Sequence, residues 1–124
     1  GQPGMRYTIL SSGGRGVAGL MALPKAACDA GARPGWVGYI GVADTDAAAR
    51  RVAAAGGRIH TEPADIPNVG RFAMVADRGG AVFALFTPRP EEQAPPRLER
   101  NDAGNVGWHE IYAADGQEAA FAFY

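Results

Sequence analysis

Apolar and polar positions alternate in short runs along the chain, and glycine or proline follows most of these runs. The alternation predicts short strands with tight turns between them, because glycine adopts turn conformations readily and proline ends a strand ladder. The first two apolar runs flank the turn "SSGGRG" and end at Pro24, which predicts a β-hairpin. Residues 25–35 predict a loop with one helical turn around residues 26–30.

A strand and a helix are predicted next. The segment "WVGYIGVAD" (36–44) alternates aromatic and β-branched residues with glycine, which is typical of a strand. The alanine-rich segment that follows predicts a helix, which begins at one of the capping residues 44–46 and ends at the glycines 56–57. Residues 58–67 predict a strand that gives way to a proline-bounded loop.

The rest of the chain predicts a second hairpin, a linker, and a final strand and helix. Residues 71–88 contain two apolar strands around a glycine turn. Residues 89–105 are rich in proline and charge, a composition that is typical of linkers. Residues 106–124 predict a strand and then the first turns of a helix.

Two stretches of the chain occur twice. The segment "RYTILSSGGRGVAGLMALP" begins at Arg6, and the similar segment "RFAMVADRGGAVFALFTP" begins 65 residues later at Arg71. Likewise "GWVGYIGVADTDAAARRV" is similar to "GWHEIYAADGQEAAFAFY", with Trp36 and Trp108 separated by 72 residues. Similarity at a fixed period indicates a repeated unit, which over residues 36–88 consists of a strand, a helix and three strands.

This βαβββ order resembles the vicinal oxygen chelate superfamily, which includes glyoxalase I, extradiol dioxygenases and bleomycin-resistance proteins. The ordered motifs "W…V.D.D.A", "GG.I" and "DIP..GR.A...D..GA.F" are similar to those of bacterial two-module glyoxalase-like proteins. The similarity covers nearly the whole chain except the linker and the termini. It implies an α+β fold in which βαβββ modules form curved sheets around a cavity.

The resemblance also implies a division of the chain. Residues 1–24 correspond to the last two strands of one module, residues 36–88 to a complete module, and residues 106–124 to the first strand and helix of the other module, with 89–105 as linker. The last and first segments together nearly rebuild a module. Three explanations stay open: a permuted arrangement, exchange of elements within a homodimer, or a sequence that is a piece of a longer two-module protein.

Enzymes of this superfamily hold a divalent metal, and the resemblance places its His, Gln or Glu ligands on the first and last strands of each module. The corresponding positions here are Val37, Ala84, Trp108 and a place near Gly19, and none of these residues has a ligating side chain. We therefore expect no cofactor at the usual site. A divalent metal held by displaced ligands stays open.

Glu110 is the best candidate for a catalytic residue, although the sequence does not decide whether the protein is an enzyme. If Trp108 faces inward on the predicted strand, Glu110 and Tyr112 do so too, and His109 faces the other way. A carboxylate in an apolar cavity has a raised pKa and can act as a base or accept a hydrogen bond. His60 and Glu62, two residues apart on one strand face, and His109 are weak candidates for metal ligands.

Aromatic residues are expected to line the cavity and to suit a planar or apolar ligand. The predicted lining consists of Trp36, Tyr39, Phe83, Trp108, Glu110 and Tyr112. The first functional hypothesis is a metal-free glyoxalase-like protein that binds a small organic molecule between its modules. The alternatives are a metal-dependent lyase, isomerase or dioxygenase with displaced ligands, and a structural module whose own side chains fill the cavity.

Composition and charge limit the classes of partner that the protein is expected to bind. The formal net charge of −1 provides no basic field, so we expect no binding to nucleic acid. No apolar run approaches the roughly 20 residues that cross a bilayer, so no membrane partner is expected either. Cys28 is the one cysteine, which fits a reducing cytoplasm, and we expect a homodimer there.

Overall fold

The structure is a computed structural model that describes residues 6–90, 99 and 101–124. Its elements in chain order are β1 (Tyr7–Ser12), β2 (Arg15–Met21), α1 (Lys25–Asp29), β3 (Tyr39–Gly41), α2 (Thr45–Ala54), β4 (Arg58–Ile66), β5 (Gly70–Ala76), β6 (Val82–Pro88) and α3 (Gln117–Phe123). The chain divides into two compact units. The first unit contains β1, β2 and α1, and the second unit contains the remaining elements.

The second unit contains a mixed sheet of four strands in the order β3-β6-β5-β4. Strand β3 runs parallel to β6, and the other neighbours are antiparallel. The elements from β3 to β6 therefore follow each other as strand, helix, strand, strand, strand, which confirms the predicted α+β fold with βαβββ order. The sheet does not close on itself.

Helix α2 covers one face of this sheet. Asp44 caps its start by accepting a hydrogen bond from the Ala47 N–H at 2.9 Å, as the sequence predicts. Small side chains let the helix approach the sheet closely. The core consists of Ala48 and Ala49 from the helix and of Ala73, Val75, Phe83 and Leu85 from the sheet.

A buried hydroxyl group attaches the start of α2 to the sheet. The Thr45 side chain is 1% exposed, and its Oγ1 lies 3.1 Å from the Arg71 carbonyl oxygen and 2.7 Å from Thr87 Oγ1. Thr87 Oγ1 in turn lies 3.0 Å from the carbonyl oxygen of Val42. Each hydroxyl has one proton, so two of these three contacts can be hydrogen bonds at any moment, and together they link the start of α2 to β5, to β6 and to Val42 just after β3.

Helix α3 packs against the same unit. Phe123 joins the edge of the core, and the Tyr124 ring lies 5.6 Å from the Phe83 ring. The Tyr124 hydroxyl donates to Asp77 at 3.0 Å, and Arg78 pairs with Asp115 at 3.1 Å. These contacts attach the segment around α3 to the turn between β5 and β6.

The first unit contains the antiparallel hairpin β1–β2. Gly13 and Gly14 have φ of 57° and 77° and form its turn, in the left-handed region that glycine adopts at little cost. Both faces carry apolar side chains, yet Tyr7, Ile9 and Leu20 are exposed. The helical turn predicted after the hairpin is present as α1.

The observed strands differ from the predicted ones in three places. The strand predicted over residues 36–44 is only three residues long, and β4 continues through Pro63 to Ile66 because register shifts accommodate the proline. Residues 106–115 form no strand, because an extended segment needs a partner strand and no described residue pairs with them.

The helix predicted after residues 106–115 is present as α3. Most of the predicted linker, residues 91–98 and 100, lies outside the described residues. The assignment of the first and last segments to one module stays a prediction.

Candidate functional site

The four-stranded sheet has one face under α2 and one face that α2 does not cover. Side chains alternate between the two faces along a strand. Because Ala73, Val75 and Leu85 pack against α2, Met74 and Ala84 between them point to the opposite face. We term this opposite side the open face.

Strand pairing places the residues of the open face in two rows that cross all four strands. Directly paired residues share a face of the sheet. One row consists of Tyr39, Ala84, Met74 and Thr61, and the next row consists of Gly41, Phe86, Phe72 and Ala64. Thr61 and the Tyr39 hydroxyl are the polar groups of these rows, so the open face offers mainly apolar contact.

Tyr39 and Phe86 form an aromatic corner on the open face. Their ring centroids lie 6.2 Å apart with an interplanar angle of 70°, the edge-on arrangement that aromatic pairs favour. Tyr39 is 58% exposed, Phe86 and Met74 are half-buried, and Ala84 is fully buried. The open face is therefore mainly apolar, and its aromatic corner has an exposed Tyr39.

A depression of about 260 Å³ lies elsewhere on this unit, where β5 begins and β6 ends. It is lined by Asp65, Ile66, Gly70, Arg71, Thr87, Pro88, Arg89 and Pro90. Its best-placed cation, Arg71, is already engaged: the guanidinium donates to Asp46, to Asp65 at 3.0 Å and to the Pro63 carbonyl oxygen at 3.1 Å. With these donors used inside the fold, the depression is a poor site for an anion.

The ion pairs of Arg71 shift the pKa values of the groups that form them. The hydrogen bonds from Arg71 hold the pKa of Asp46 below its ordinary value of 3.8. The hydrogen bond to Asp46, followed by that to Asp65, raises the pKa of Arg71 above its ordinary value. Arg71 therefore remains charged and joins the start of α2 to β4 and β5, which is a structural role.

Two of the predicted cavity residues lie in the four-stranded sheet. Tyr39 is part of the open face and contacts Phe86. Phe83 lies on the other face, where it is 9% exposed within the core under α2. The sheet therefore presents Tyr39, and not Phe83, on the open face.

The other predicted cavity residues lie outside the strands. Trp36 and Trp108 belong to the first unit, whereas Glu110 and Tyr112 belong to the second, and all four are exposed. Glu110 is the candidate catalytic carboxylate, and no described residue forms an ion pair with it. The roles of these residues as lining or catalyst stay predictions.

The residues at the usual metal positions do not fit a metal. Ala84 pairs directly with Tyr39, and Val37 lies two residues before Tyr39, so no donor oxygen or imidazole occupies either position. Zinc and the harder cations need several oxygen, nitrogen or sulfur ligands. Among the described residues, no group of three or more His, Cys, Asp and Glu side chains could hold an ion.

Two of the weak metal candidates lie at register shifts in β4, and the role of all three as ligands stays a prediction. Register shifts in β4 occur between Ile59 and Thr61 and again before Ala64, so they interrupt the alternation at His60 and at Glu62. Both side chains are exposed, and so is that of His109, which belongs to the other unit.

Sequence reasoning missed the centre of the open face. Phe72, Met74 and Phe86 were not among the predicted lining residues, although they occupy alternate positions of the second hairpin. An analysis that identified which alternate residues of this hairpin pack against α2 would have placed these three residues on the opposite face. That choice depends on the buried pairs Ala73–Leu85 and Val75–Phe83, which the composition of the hairpin alone does not single out.

A profile of the Glyoxalase/Bleomycin resistance protein/Dioxygenase superfamily matches residues 2–85. The chain belongs to this superfamily, in agreement with its βαβββ order and with the resemblance stated from its sequence. Within the described residues, none of the helices has the length and apolar character needed to cross a membrane.

Several curated proteins are similar to the chain. The "putative glyoxylase CFP32" of Mycobacterium tuberculosis (strain CDC 1551 / Oshkosh) is 43% identical over 89 residues, which are 72% of this chain and 33% of that protein. The "anthracycline biosynthesis protein DnrV" of Streptomyces peucetius is 38% identical over 89 residues, which are 72% of this chain and 31% of that protein. The chain thus spans about a third of the length of the curated relatives it matches.

Proposed function

We propose that the protein is a glyoxalase-like protein that binds a small, flat organic molecule on the open face, without a metal at the usual positions. The observation that carries the proposal is the apolar row through Ala84, where the superfamily resemblance implies a metal ligand. The Ala84 methyl group offers no coordination, and because it is fully buried, contact with a ligand falls to the more exposed side chains around it. A second wall from another module, which the superfamily's cavity implies, stays part of the expectation.

The chemistry of the open face favours flat apolar ligands. The edge-on rings of Tyr39 and Phe86 present an aromatic corner beside the flexible thioether of Met74. Such surfaces hold a ligand by burial of apolar area and by ring contacts, and a few polar groups orient it. The relatives named for anthracycline biosynthesis support an anthracycline as the first probe.

A thermal-shift titration with an anthracycline and simpler flat aromatics tests the proposal. Tyr39→Ala removes half of the aromatic corner, and we expect the ligand-dependent rise in unfolding temperature to be lost. Ile40→Ala is the matched control, because Ile40 is the next residue of β3, pairs with Leu85 and is exposed. A shift that survives in Tyr39→Ala, or the absence of any shift with wild-type protein, would contradict binding at the open face.

Metal analysis tests the other half of the proposal. We expect no stoichiometric metal in purified protein by plasma mass spectrometry, and no rise in unfolding temperature when zinc, nickel or manganese is added. Stoichiometric metal together with a metal-dependent rise would instead support the enzyme hypothesis with displaced ligands. Substitution of His60, Glu62 and His109 would then show which residues hold the ion.

A further inference from the structure

Thr61 lies on the open face because β4 changes register. Ile59 pairs with Val75 and packs at the edge of the core under α2. On a regular strand, residues two apart share a face, so Thr61 would also point towards the core. A register shift between Ile59 and Thr61 instead pairs Thr61 with Met74. Directly paired residues share a face, so Thr61 lies beside Met74 on the open face.

A second register shift follows Thr61. Ala64 pairs with Phe72 and so also lies on the open face, three residues after Thr61. Regular alternation would put residues three apart on opposite faces, and the shift between Thr61 and Ala64 brings both to the same face. Irregularities of this kind re-aim side chains and are frequent next to active sites. The two shifts thus give Thr61 a position that a regular β4 would not give it.

The Thr61 hydroxyl is free to bind a ligand. Thr61 is exposed, and its hydroxyl forms no hydrogen bond with any residue that the structure describes. A hydroxyl donates one hydrogen bond and also accepts, so it can pair with a carbonyl or hydroxyl oxygen. The neighbours of Thr61 on this face, Met74, Phe72 and Ala64, offer mainly apolar contact. Thr61 is therefore a polar point at the β4 end of an apolar surface.

The other threonines of the second unit use their hydroxyls inside the fold. Thr45 and Thr87 contact each other and the carbonyl oxygens of Arg71 and Val42. Thr61 differs from both, because β4 is an edge strand of the sheet and the Thr61 side chain is exposed. Its hydroxyl can therefore pair with a bound molecule without losing a contact that holds the described part of the unit together.

We propose that Thr61 selects among flat ligands of the open face by forming a hydrogen bond with an oxygen substituent on the ligand edge nearest β4. The inference rests on the proposed function, since it takes a flat molecule on this face as given. The half-buried side chains of Met74 and Phe72 contact the ring system. The preferred class is fused-ring phenols and ketones, because an aromatic hydrocarbon of the same shape leaves the hydroxyl beside it without a partner.

Equilibrium dialysis with 2-naphthol and naphthalene tests the proposal. The two probes have the same fused rings and differ by one hydroxyl group. Thr61→Val replaces the hydroxyl with a methyl group of similar size, so the affinity for 2-naphthol relative to naphthalene should fall about three- to tenfold. Thr61→Ser keeps the hydroxyl and should keep the relative affinity. Valine is favoured in strands, so circular dichroism of Thr61→Val should show an unchanged fold.

Thr8→Val is the matched control, because Thr8 is an exposed threonine of β1 in the other unit, and it should keep the relative affinity of wild-type protein. An unchanged relative affinity in Thr61→Val would overturn the role of Thr61, even if Tyr39→Ala weakens both probes and so supports binding at the open face. Failure of wild-type protein to bind either probe, or undiminished binding of both in Tyr39→Ala, would contradict the proposed function and this inference with it.

Discussion

The two hairpins begin from nearly the same sequence pattern and reach the same register, yet they end in different surroundings. Strands β5 and β6 have α2 on one face and further strands on both edges, and Val75 has no exposed surface. Within the part of the chain that the structure describes, β1 and β2 pair only with each other, and the equivalent Leu10 is 37% exposed. Local sequence thus sets the strand pairing, whereas burial depends on elements that lie elsewhere in the chain.

The largest difference between the two hairpins is expected when equivalent leucines are truncated and the free energy of unfolding is measured. Leu85→Ala removes a buried side chain beside α2 and should lower the free energy of unfolding by about 2–5 kcal/mol. Leu20→Ala changes an exposed side chain and should alter it by no more than about 0.5 kcal/mol. Urea unfolding at concentrations too low for self-association measures both values. Similar losses in the two variants would show that β1–β2 is as well packed as β5–β6.

A smaller contrast concerns the hydroxyl chain at the start of α2. Thr45→Val keeps the volume and removes the buried hydroxyl between Arg71 and Thr87, so the free energy of unfolding should fall by about 1–3 kcal/mol. The first hairpin has Ala22 at the position of Thr87 and has no equivalent chain. Ala22→Thr is therefore a control that should leave stability nearly unchanged in urea unfolding. Equal stability of Thr45→Val and wild-type protein would contradict the structural role of the hydroxyls.

The two hairpin arginines should differ in how their effects depend on pH. Arg71→Ala should lower the unfolding temperature at neutral pH, whereas Arg6→Ala should not at concentrations where the protein is monomeric. Because Arg71 lowers the pKa of folded Asp46, this stabilisation is present above the ordinary aspartate pKa and is lost as pH falls through the lowered value. Thermal melts from neutral to acidic pH should therefore show the Arg71→Ala difference shrinking. A pH-independent difference would exclude the Asp46 ion pair as its cause.

The smallest effect is expected at Tyr124, which contacts the second hairpin through Phe83 and Asp77. Partial burial, followed by the hydrogen bond to Asp77, raises the pKa of Tyr124 to about 12. The folded state therefore favours the neutral phenol, and this stabilisation is present below the ordinary pKa of 10.0 and is lost as pH rises towards 12. Tyrosinate absorbance should show a late-titrating group that Tyr124→Phe removes. An ordinary pKa in the difference titration would contradict this contact.

The sequence predicts elements whose signals are local. The Asp44 cap, the alanines after it and the glycines at 56–57 predict α2, and the glycine turns predict both hairpins. The sequence-based prediction fails where pairing with a distant strand decides whether a segment forms a strand. Residues 106–115 have the pattern of a strand but have no partner strand among the described residues.

The candidate site could be predicted only in part, for the same reason. Tyr39 is one of the predicted lining residues, and its pairing places it on the open face. Phe83 alternates with Ala84 on β6, and only the position of α2 decides which of the two enters the core. Register shifts in β4 likewise fall at His60 and Glu62, so strict alternation along the strand cannot be assumed for these two residues.

Hydrogen–deuterium exchange in dilute protein tests the central claim, the contrast between the two hairpins, most directly. In dilute protein, the amides of β5 and β6 should exchange slowly and those of β1 and β2 rapidly, because an isolated hairpin is marginally stable. Equal protection of the two hairpins in dilute protein would contradict the account.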